Sequence, residues 1–521
     1  MIRIRDISLP PEHDHNQLVF EAAKLLKVSA SKIRKLTIFR RSIDARKKPD
    51  VRIIYTVDVA VDGNEQKILR QSGCKRAAIA VKNIYKVPKA ANIAQRPVVV
   101  GFGPAGMFAA LVLAMAGLKP LVLERGEDAK SRHAKVERFF STGALDPQSN
   151  VQFGEGGAGT FSDGKLNTGV NNPRIGWILE QFVQAGARED ILYDAKPHIG
   201  TDVLLEVVQN IRKRIIELGG EVRFNTQVTG IRTEDGKLVG FETACGVISC
   251  QQAILAIGHS ARDTFAMLNE MGIPMEPKPF SMGVRIEHKQ SMIDRAQYGR
   301  EDLPLPPADY KLVKHLDNET VYTFCMCPGG YVVAAASEEG GVVTNGMSYA
   351  DRDGENANAA LLVTLNPADF PYEGVLGGVK WQREIEKRAY RLSGSYCAPA
   401  QRVGDFLAGT PSIGPGEVTP TYRPGVVWCD LREVLPEKIT GAIAEALPQL
   451  ERNLKGFSDP DAVLTAPETR SSSPVRILRD ETRQSAIRGL YPAGEGAGYA
   501  GGIMSAAIDG MMSAEALMAS E

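Results

Sequence analysis

RPVVVGFGPAGMFAALVLAMAGLKPLVLER, residues 96–125, decides the fold. An apolar strand at 98–100 runs directly into Gly101-x-Gly103-x-x-Gly106. A helix-length apolar run follows, and a second apolar strand at 121–123 ends in Glu124, eighteen residues beyond Gly106. Strand, glycine turn, helix and strand make a βαβ unit of Rossmann type, in which the glycines give a sharp turn, a backbone that a pyrophosphate can approach, and close helix-on-sheet packing. The helix opening at Pro104, Ala105 and Gly106 offers unpaired N–H groups to an anion. Glu124, with Arg125 behind it, is placed to accept hydrogen bonds from an adenosine ribose. The unit is nucleotide-binding, and by itself it does not choose between NAD and FAD.

Outward from that unit, 521 residues exceed one hydrophobic core and suggest about three folding units. Hydrophobic residues are 43%, charged residues 24% and the formal net charge is zero, a balance that excludes a disordered chain and a global polyanion binder. Seven scattered cysteines and an N-terminus without an apolar signal region lead us to expect a reducing, cytoplasmic home. Residues 97–118 carry no charge and are long enough to span a bilayer, but Gly101, Gly103, Pro104 and Gly106 would break such a helix, so no membrane is expected.

The zero net charge hides an asymmetry. Residues 1–90 carry 20 Lys and Arg against 9 Asp and Glu, leaving 42 against 53 for the rest. Alternation at 2–7 and 51–60 reads as strands and 16–26 as a helix, so a small α+β domain is expected, with a linker at 90–96. The basic run 32–48 is read first as a solvated face or a contact with the acidic remainder, and second as a track for nucleic-acid phosphates. Strand-and-helix alternation resumes at 202–218, 221–228, 237–241 and 252–256. Short β-like runs at 282–287, 321–326 and 331–335 suit a mixed or antiparallel sheet. Residues 489–518 read as a short strand, a glycine-rich loop and a small-residue helix.

LYPAGEGAGYAGGIMSAAIDG, residues 490–510, resembles the closing flavin-contact motif of the glutathione reductase (two-dinucleotide-binding) superfamily. In that motif an acidic residue meets the ribitol, and the helix start faces the flavin. The acid is usually Asp; here it is Glu495, a departure that puts the precise ribitol contact in doubt. Residues 222–228, ending at Val228, resemble the strand lending backbone contacts to adenine, and AILAIGHSA from Ala253 resembles the strand before a second flavin-side glycine, Gly258. FGEGGAGTFSDGKLNTG, 153–169, resembles the loop passing the pyrophosphate. Its Gly154, Gly156 and Gly159 only imitate a second fingerprint, because no apolar strand precedes them. Together with GTFSDGKL, GVRIEH and PETRSSSPVRI, these segments make residues 96–521 resemble bacterial FAD-dependent dehydrogenase-like flavoproteins, mostly of unassigned reaction.

That resemblance implies the cofactor FAD, held by Gly101, Gly103, Pro104, Ala105, Gly106, Glu124, Arg125, Gly159, Thr160, Val228, Gly258, Gly494, Glu495, Gly502 and Ile503. It implies an α/β architecture: a basic α+β domain (1–90), a Rossmann-type FAD-binding domain in two parts (91–270 and 456–521), and an inserted mixed or antiparallel β substrate domain (271–455). The expected function is an oxidoreductase, a dehydrogenase or reductase exchanging a hydride between flavin N5 and a small molecule. The alternatives are an RNA-associated flavoprotein and a non-catalytic FAD binder. Catalytic candidates are Lys165 and Asp163, by loop position, and Arg470, which could pair an anionic substrate or brace a domain interface. Cys325 and Cys327, one residue apart in a strand-like run, are expected on one face and reduced. No metal spacing is readable, and no second fingerprint offers NAD(P)H more than a shallow groove.

Overall fold

The computed structural model describes residues 1–81, 84–90 and 95–520; of the expected linker, 91–94 lie outside the described residues. The chain begins with β1 (Ile2–Leu9), α1 (His15–Leu26), β2 (Ile33–Asp44), β3 (Arg52–Val61), α2 (Glu65–Ser72) and β4 (Ala77–Ile79). These strands pair antiparallel in the order β2-β3-β1-β4, the ferredoxin-like βαββαβ arrangement. Helix α1 starts where it does because Asp14 and Gln17 form a reciprocal capping box. Ile2, Ile4, Ile7 and Leu9 of β1 pack with Leu18, Ala22 and Leu26 of α1. Part of the basic run is spent within the chain. Arg34 pairs with Asp62 and Arg46 with Asp44. Arg41 grips Asp194 through two hydrogen bonds of 2.6 and 2.8 Å while its backbone bonds Tyr193 and Ala195.

The second unit runs β5 (Val98–Val100), α3 (Pro104–Met115), β6 (Leu121–Leu123), α4 (Ala129–Thr142), α5 (Arg174–Gln184), α6 (Thr201–Glu217) and β7 (Glu221–Arg223). The strand expected to reach residue 228 stops at Arg223. Asn225 adopts φ +52°, and the amides of Asn225 and Thr226 turn back to the carbonyls of Gly126 and Glu124. Val228 instead opens a three-stranded ribbon of β8 (Val228–Glu234), β9 (Lys237–Thr243) and β10 (Gly246–Ser249). The chain then returns through β11 (Ala253–Leu255) and α7 (Arg262–Glu270).

A long excursion follows: β12 (Met275–Pro277), β13 (Phe280–Lys289), α8 (Gln290–Tyr298), β14 (Val313–His315), β15 (Thr320–Cys327), β16 (Gly330–Ala334), β17 (Thr344–Ser348), β18 (Asn356–Leu365), α9 (Gly377–Ser393), β19 (Ala398–Arg402), α10 (Val403–Ala408), β20 (Val426–Trp428), α11 (Glu437–Leu450) and β21 (Val463–Glu468). Seven of these strands form one sheet, β14-β15-β18-β13-β21-β19-β20, antiparallel except for the parallel β19–β20 pair. One face is apolar, with Met282, Val284, Ile286, Ala359, Leu361 and Val363 in the core with α11.

The chain closes with β22 (Val475–Ile477), which pairs with β12, then β23 (Leu490–Pro492) and α12 (Ile503–Ala519). β23 completes a parallel sheet, β23-β11-β5-β6-β7, in which every strand but the half-exposed edge strand β7 is buried on both faces. Strand order reverses beside β5, so the crevice lies above the ends of β5 and β11. Helices α3 and α12 lie against each other through small residues; a Cβ on Gly510 would stand 2.0 Å from the carbonyl oxygen of Ala105. No helix among the described residues is long and apolar enough to cross a membrane.

The Gly510–Ala105 contact predicts that Gly510→Leu, which forces the two helices apart, lowers stability by about 2 kcal/mol or more. Denaturant unfolding of the purified variant checks it.

Candidate functional site

Two of the three glycines after β5 are dictated by the chain's own packing. Gly101 has φ +95°, and a Cβ there would meet the Ala256 carbonyl oxygen at 2.3 Å; a Cβ on Gly106 would meet the Gly101 oxygen at 1.9 Å. Gly103 is different. Its backbone is extended (φ −75°, ψ −176°), and its nearest neighbour would be an ordinary 3.6 Å away. No side chain caps α3 at Gly103, and Pro104 occupies the first helical turn. A bare backbone and uncapped amides facing open space suit a phosphate.

Glu124, 5% exposed, accepts hydrogen bonds from the amides of Phe102 (2.8 Å), Gly126 (2.9 Å) and Gly154 (2.9 Å). It therefore ties the end of β6 to the β5–α3 turn and to the loop beginning at residue 150, work that the sequence did not suggest beside ribose binding. Arg125 donates to Asp263 and lies over the Phe153 ring. Gln227 reaches the same Asp263, and Val228 is buried beside them at the start of β8.

The glycine-rich loop owes its shape to Arg132, on α4. This fully buried guanidinium donates to four carbonyl oxygens: Asn150 (2.8 Å), Val151 (2.9 Å), Glu155 (2.6 Å) and Gly157 (2.9 Å). Burial lowers its pKa to about 10, so it stays charged at neutral pH. Thr160, also buried, donates to the Glu155 carbonyl. The loop then passes through a short 3₁₀ turn (Gly157–Phe161), with no strand before it, as the false fingerprint required. Gly159 meets both Ile503 and Pro104, so the starts of α3 and α12 and this loop converge at one place.

On the other side of the crevice, the loops after β11 and β23 cross glycine on glycine: a Cβ on Gly496 would stand 2.5 Å from the Gly258 oxygen. Gly494 (φ +76°) donates to Asp509, which also receives Arg479 and Arg483; these cations hold its carboxyl below the usual range. Glu495 points elsewhere, with a carboxylate oxygen 3.6 Å from His259 Nδ1. Gly258 and Gly502 have positive φ, yet a Cβ on either would meet nothing within 4 Å, nor would one on Gly501. Gly258, Gly501 and Gly502 leave backbone with nothing from the chain against it, and Gly103 meets only Gly157 at an ordinary distance, so bare backbone borders the crevice above β5 and β11. That is the cradle an extended dinucleotide fits.

The catalytic candidates do not gather there. Asp163, 3% exposed, is clasped by Arg352 (2.9 and 2.6 Å) and Lys165 (3.1 Å), which hold its carboxyl well below the usual range; an ion so paired is a poor proton acceptor. Lys165 also donates to the Met326 carbonyl. Arg470 is occupied. It grips Glu386 through two nitrogens (3.1 and 2.8 Å) and donates to Ser260 and Ser337. Glu386 also receives Arg262 and Thr469. Of the two roles weighed for Arg470, the geometry is that of a brace between α7, α9 and the segment after β21. Cys325 and Cys327 do not share a face: a bulge between Phe324 and Cys327 turns Cys325 to φ +40°, leaving it exposed and Cys327 buried.

Arg132 carried no sequence signal, since its helix is rich in Lys and Arg. Asp509 did carry one, as the sole charge within 503–514 of an otherwise small and apolar helix.

The glycine geometry predicts a split. Gly103→Val leaves the apo-protein within about 1 kcal/mol of native stability, because the new Cβ meets only Gly157 at an ordinary 3.6 Å, but lowers FAD content at least about tenfold. Gly106→Val loses both fold and cofactor. Absorbance at constant protein concentration, paired with urea unfolding, separates them. Arg132→Met strands four buried carbonyls and costs about 3 kcal/mol or more by the same unfolding assay.

The family described as "FAD-dependent protein, C-terminal domain-like" matches residues 279–471, and a domain of unknown function (DUF8436) matches residues 1–60. An uncharacterized protein of Clostridium beijerinckii is 46% identical over 521 residues, 99% of this chain and 98% of its own. Protein FixC of Rhizobium meliloti is 28% identical over 182 residues, 33% of this chain and 39% of its own. Among solved structures, glycine oxidase from Bacillus cereus is 11% identical, covering 81% of this chain and 94% of its own at a TM-score of 0.36. CtdE in complex with FAD is 11% identical, covering 81% and 84% at a TM-score of 0.31. The chain belongs to the family of the clostridial protein, is similar over residues 279–471 to the C-terminal region of FAD-dependent proteins, and has FAD as its cofactor.

Proposed function

We propose that this protein is an FAD-dependent oxidoreductase, a dehydrogenase or reductase of the glutathione reductase superfamily acting on a small molecule. The observation that carries this reading is the crevice bordered by the bare backbones of Gly103, Gly258, Gly501 and Gly502. Residues 91–270 and 456–521 form its walls, residues 271–455 cover the reacting end, and residues 1–90 are a basic accessory domain that docks on the second unit through Arg41 and Asp194. FAD, when bound, supplies the hydride chemistry at its N5 position.

The chain's own residues do the rest. The uncapped amides of α3, at Ala105 and Gly106, meet the pyrophosphate, and Gly103 lets it come close. Glu124 holds the β6 end beside the adenosine ribose with its remaining acceptor capacity, while Arg125 and Val228 border the adenine. Gly159 and Thr160 carry the loop past the phosphates, and Gly494, Glu495, Gly502 and Ile503 receive the ribitol and ring. The Arg470–Glu386–Arg262 brace keeps the covering sheet in register with the nucleotide-binding walls. Asp163 is a positioning residue for Lys165. With no second fingerprint, NAD(P)H would reach the flavin only through a surface groove.

Anaerobic titration of the purified yellow protein with NADH, NADPH and then a metabolite panel tests the reading. Bleaching of the flavin's visible band by one of them is the expected outcome and names the donor class. A colourless protein that refuses FAD would overturn it.

A further inference from the structure

The seven-stranded sheet has a second face that its packing does not explain. Register places Ser281, Arg285 and Glu287 of β13, Tyr322 and Phe324 of β15, Asn356 and Asn358 of β18, and Thr465 and Glu468 of β21 on this side. Polar groups on a buried sheet face cost free energy unless something needs them there. β17 covers part of this face, where Gly346 lies against the Arg285 guanidinium. Toward the β15 bulge the face opens: Cys325 and Phe324 are exposed, and Lys165 is 27% accessible.

We propose that this opening at the β15 bulge, headed by Lys165 and backed by Arg285, is an anion subsite that takes the carboxylate of the small molecule on which the flavin acts. The proposal rests on the oxidoreductase reading above and adds the substrate's chemical class.

Charge is the first argument. Three cations converge: Lys165, Arg285 and Arg352. Lys165 and Arg352 share Asp163, which is firmly ionised. Arg285 has Glu468, 3.3 Å away through a single nitrogen, and burial pushes that carboxyl up to about 7. Glu287, on the same strand, is pushed up as well by burial, although Thr421 and Asn356 donate to it. His198 is pushed down by burial and stays neutral, and burial pushes the Cys327 thiol up. Near neutral pH the cations outnumber the firmly ionised carboxylates, and a buried excess of positive charge is relieved by an anion.

The second argument is unspent hydrogen bonding. Asn358 donates nothing from Nδ2 while its oxygen accepts from Arg285, and Thr465 Oγ1, directly across from Arg285 in the ladder, has no partner among the described residues. Strain is the third: Cys325 holds a left-handed φ of +40°, and its carbonyl and that of Met326 are pinned by Arg285 and Lys165 respectively. Strained backbone held by two cations fixes Lys165 at the opening and the buried Arg285 behind it. Finally, Phe324 lies edge-on to Tyr322 at the same bulge, two residues before the Met326 whose carbonyl Lys165 bonds, which gives a carboxylate's apolar body a shelf. Lys165 is six residues from Gly159, where the loop touches the starts of α3 and α12, so one loop runs from the crevice to the subsite over a contour of at most about 20 Å.

The test is calorimetric titration of the yellow holoprotein with benzoate and with its uncharged counterpart benzamide, run in parallel with the flavin's visible spectrum. We expect saturable benzoate binding, at least about tenfold tighter than benzamide. Lys165→Met weakens benzoate about tenfold or more, equivalent to about 1.4 kcal/mol, and Lys165→Arg restores it to within a few-fold. If Lys165→Met does not fold, Phe324→Ser serves instead, weakening benzoate while FAD content is unchanged. A yellow native protein that ignores benzoate, or binds benzamide as well, overturns the subsite and leaves the oxidoreductase reading standing. So does a variant at Lys165 or Phe324 with native benzoate affinity. A protein that refuses FAD strikes the oxidoreductase reading instead.

Discussion

The Arg132 guanidinium is the constraint on which the site depends. A loop of glycines has no side chains to fold it, and the cost of ordering such backbone is the highest of any residue type. Arg132 meets that cost by offering a planar fork of donors to four carbonyl oxygens, at 150, 151, 155 and 157. Glu124 does the complementary task, taking amides where Arg132 takes carbonyls, and reaching the same loop through Gly154. One buried cation and one buried anion, neither bonded to the other, therefore fix opposite polarities of the same backbone. Each would be costly alone in the interior, and each is stabilised by dipoles that the loop must present if it is to pass the pyrophosphate.

The same logic recurs across the crevice. Asp509 fixes the loop after β23 through the Gly494 amide and receives two arginines, and Glu386 fixes the covering sheet through Arg262 and Arg470. Positions that looked free to meet a ligand in the sequence are thus largely consumed in holding the glycines where a ligand passes. What the chain leaves bare is backbone, at Gly103, Gly258, Gly501 and Gly502.

The readable part of the sequence was the part governed by local rules. The triplet at 101–106, the strands on either side of it and Glu124 follow from periodicity and from the steric demands of a βαβ turn, so they were legible from adjacent residues alone. The C-terminal return at 490–519 was legible as a pattern, but its acid was not: Glu495 stands in the motif, whereas Asp509, one helix away, bonds the loop. Val228 was assigned to the end of a strand that stops at Arg223, because the left-handed turn at Asn225 depends on carbonyls 99 and 102 residues earlier in the chain. Arg470 could be a brace or a ligand anchor until Glu386 was in place, 84 residues away. Cys325 and Cys327 alternate correctly in a regular strand, and only the bulge against β18 separates them. In each case the deciding partner is distant in sequence, and a single chain read along its length carries no trace of such a pairing.

The two faces of the large sheet connect these observations. Its apolar face is explained by α11 and the core behind it, and strands of this length need one such face. Its polar face is not needed for folding, since hydrophobic residues of similar volume in place of Arg285 and Glu468 would on general grounds be neutral or stabilising. Keeping a loosely partnered buried ion pair there, beneath a strained bulge and beside a half-buried lysine, makes physical sense where the charge has work to do. The loop that Arg132 shapes carries Lys165 from the glycine turn to that charge, so the stretch between Phe153 and Gly169 links the organisation of the cofactor crevice to the polar face of the covering sheet.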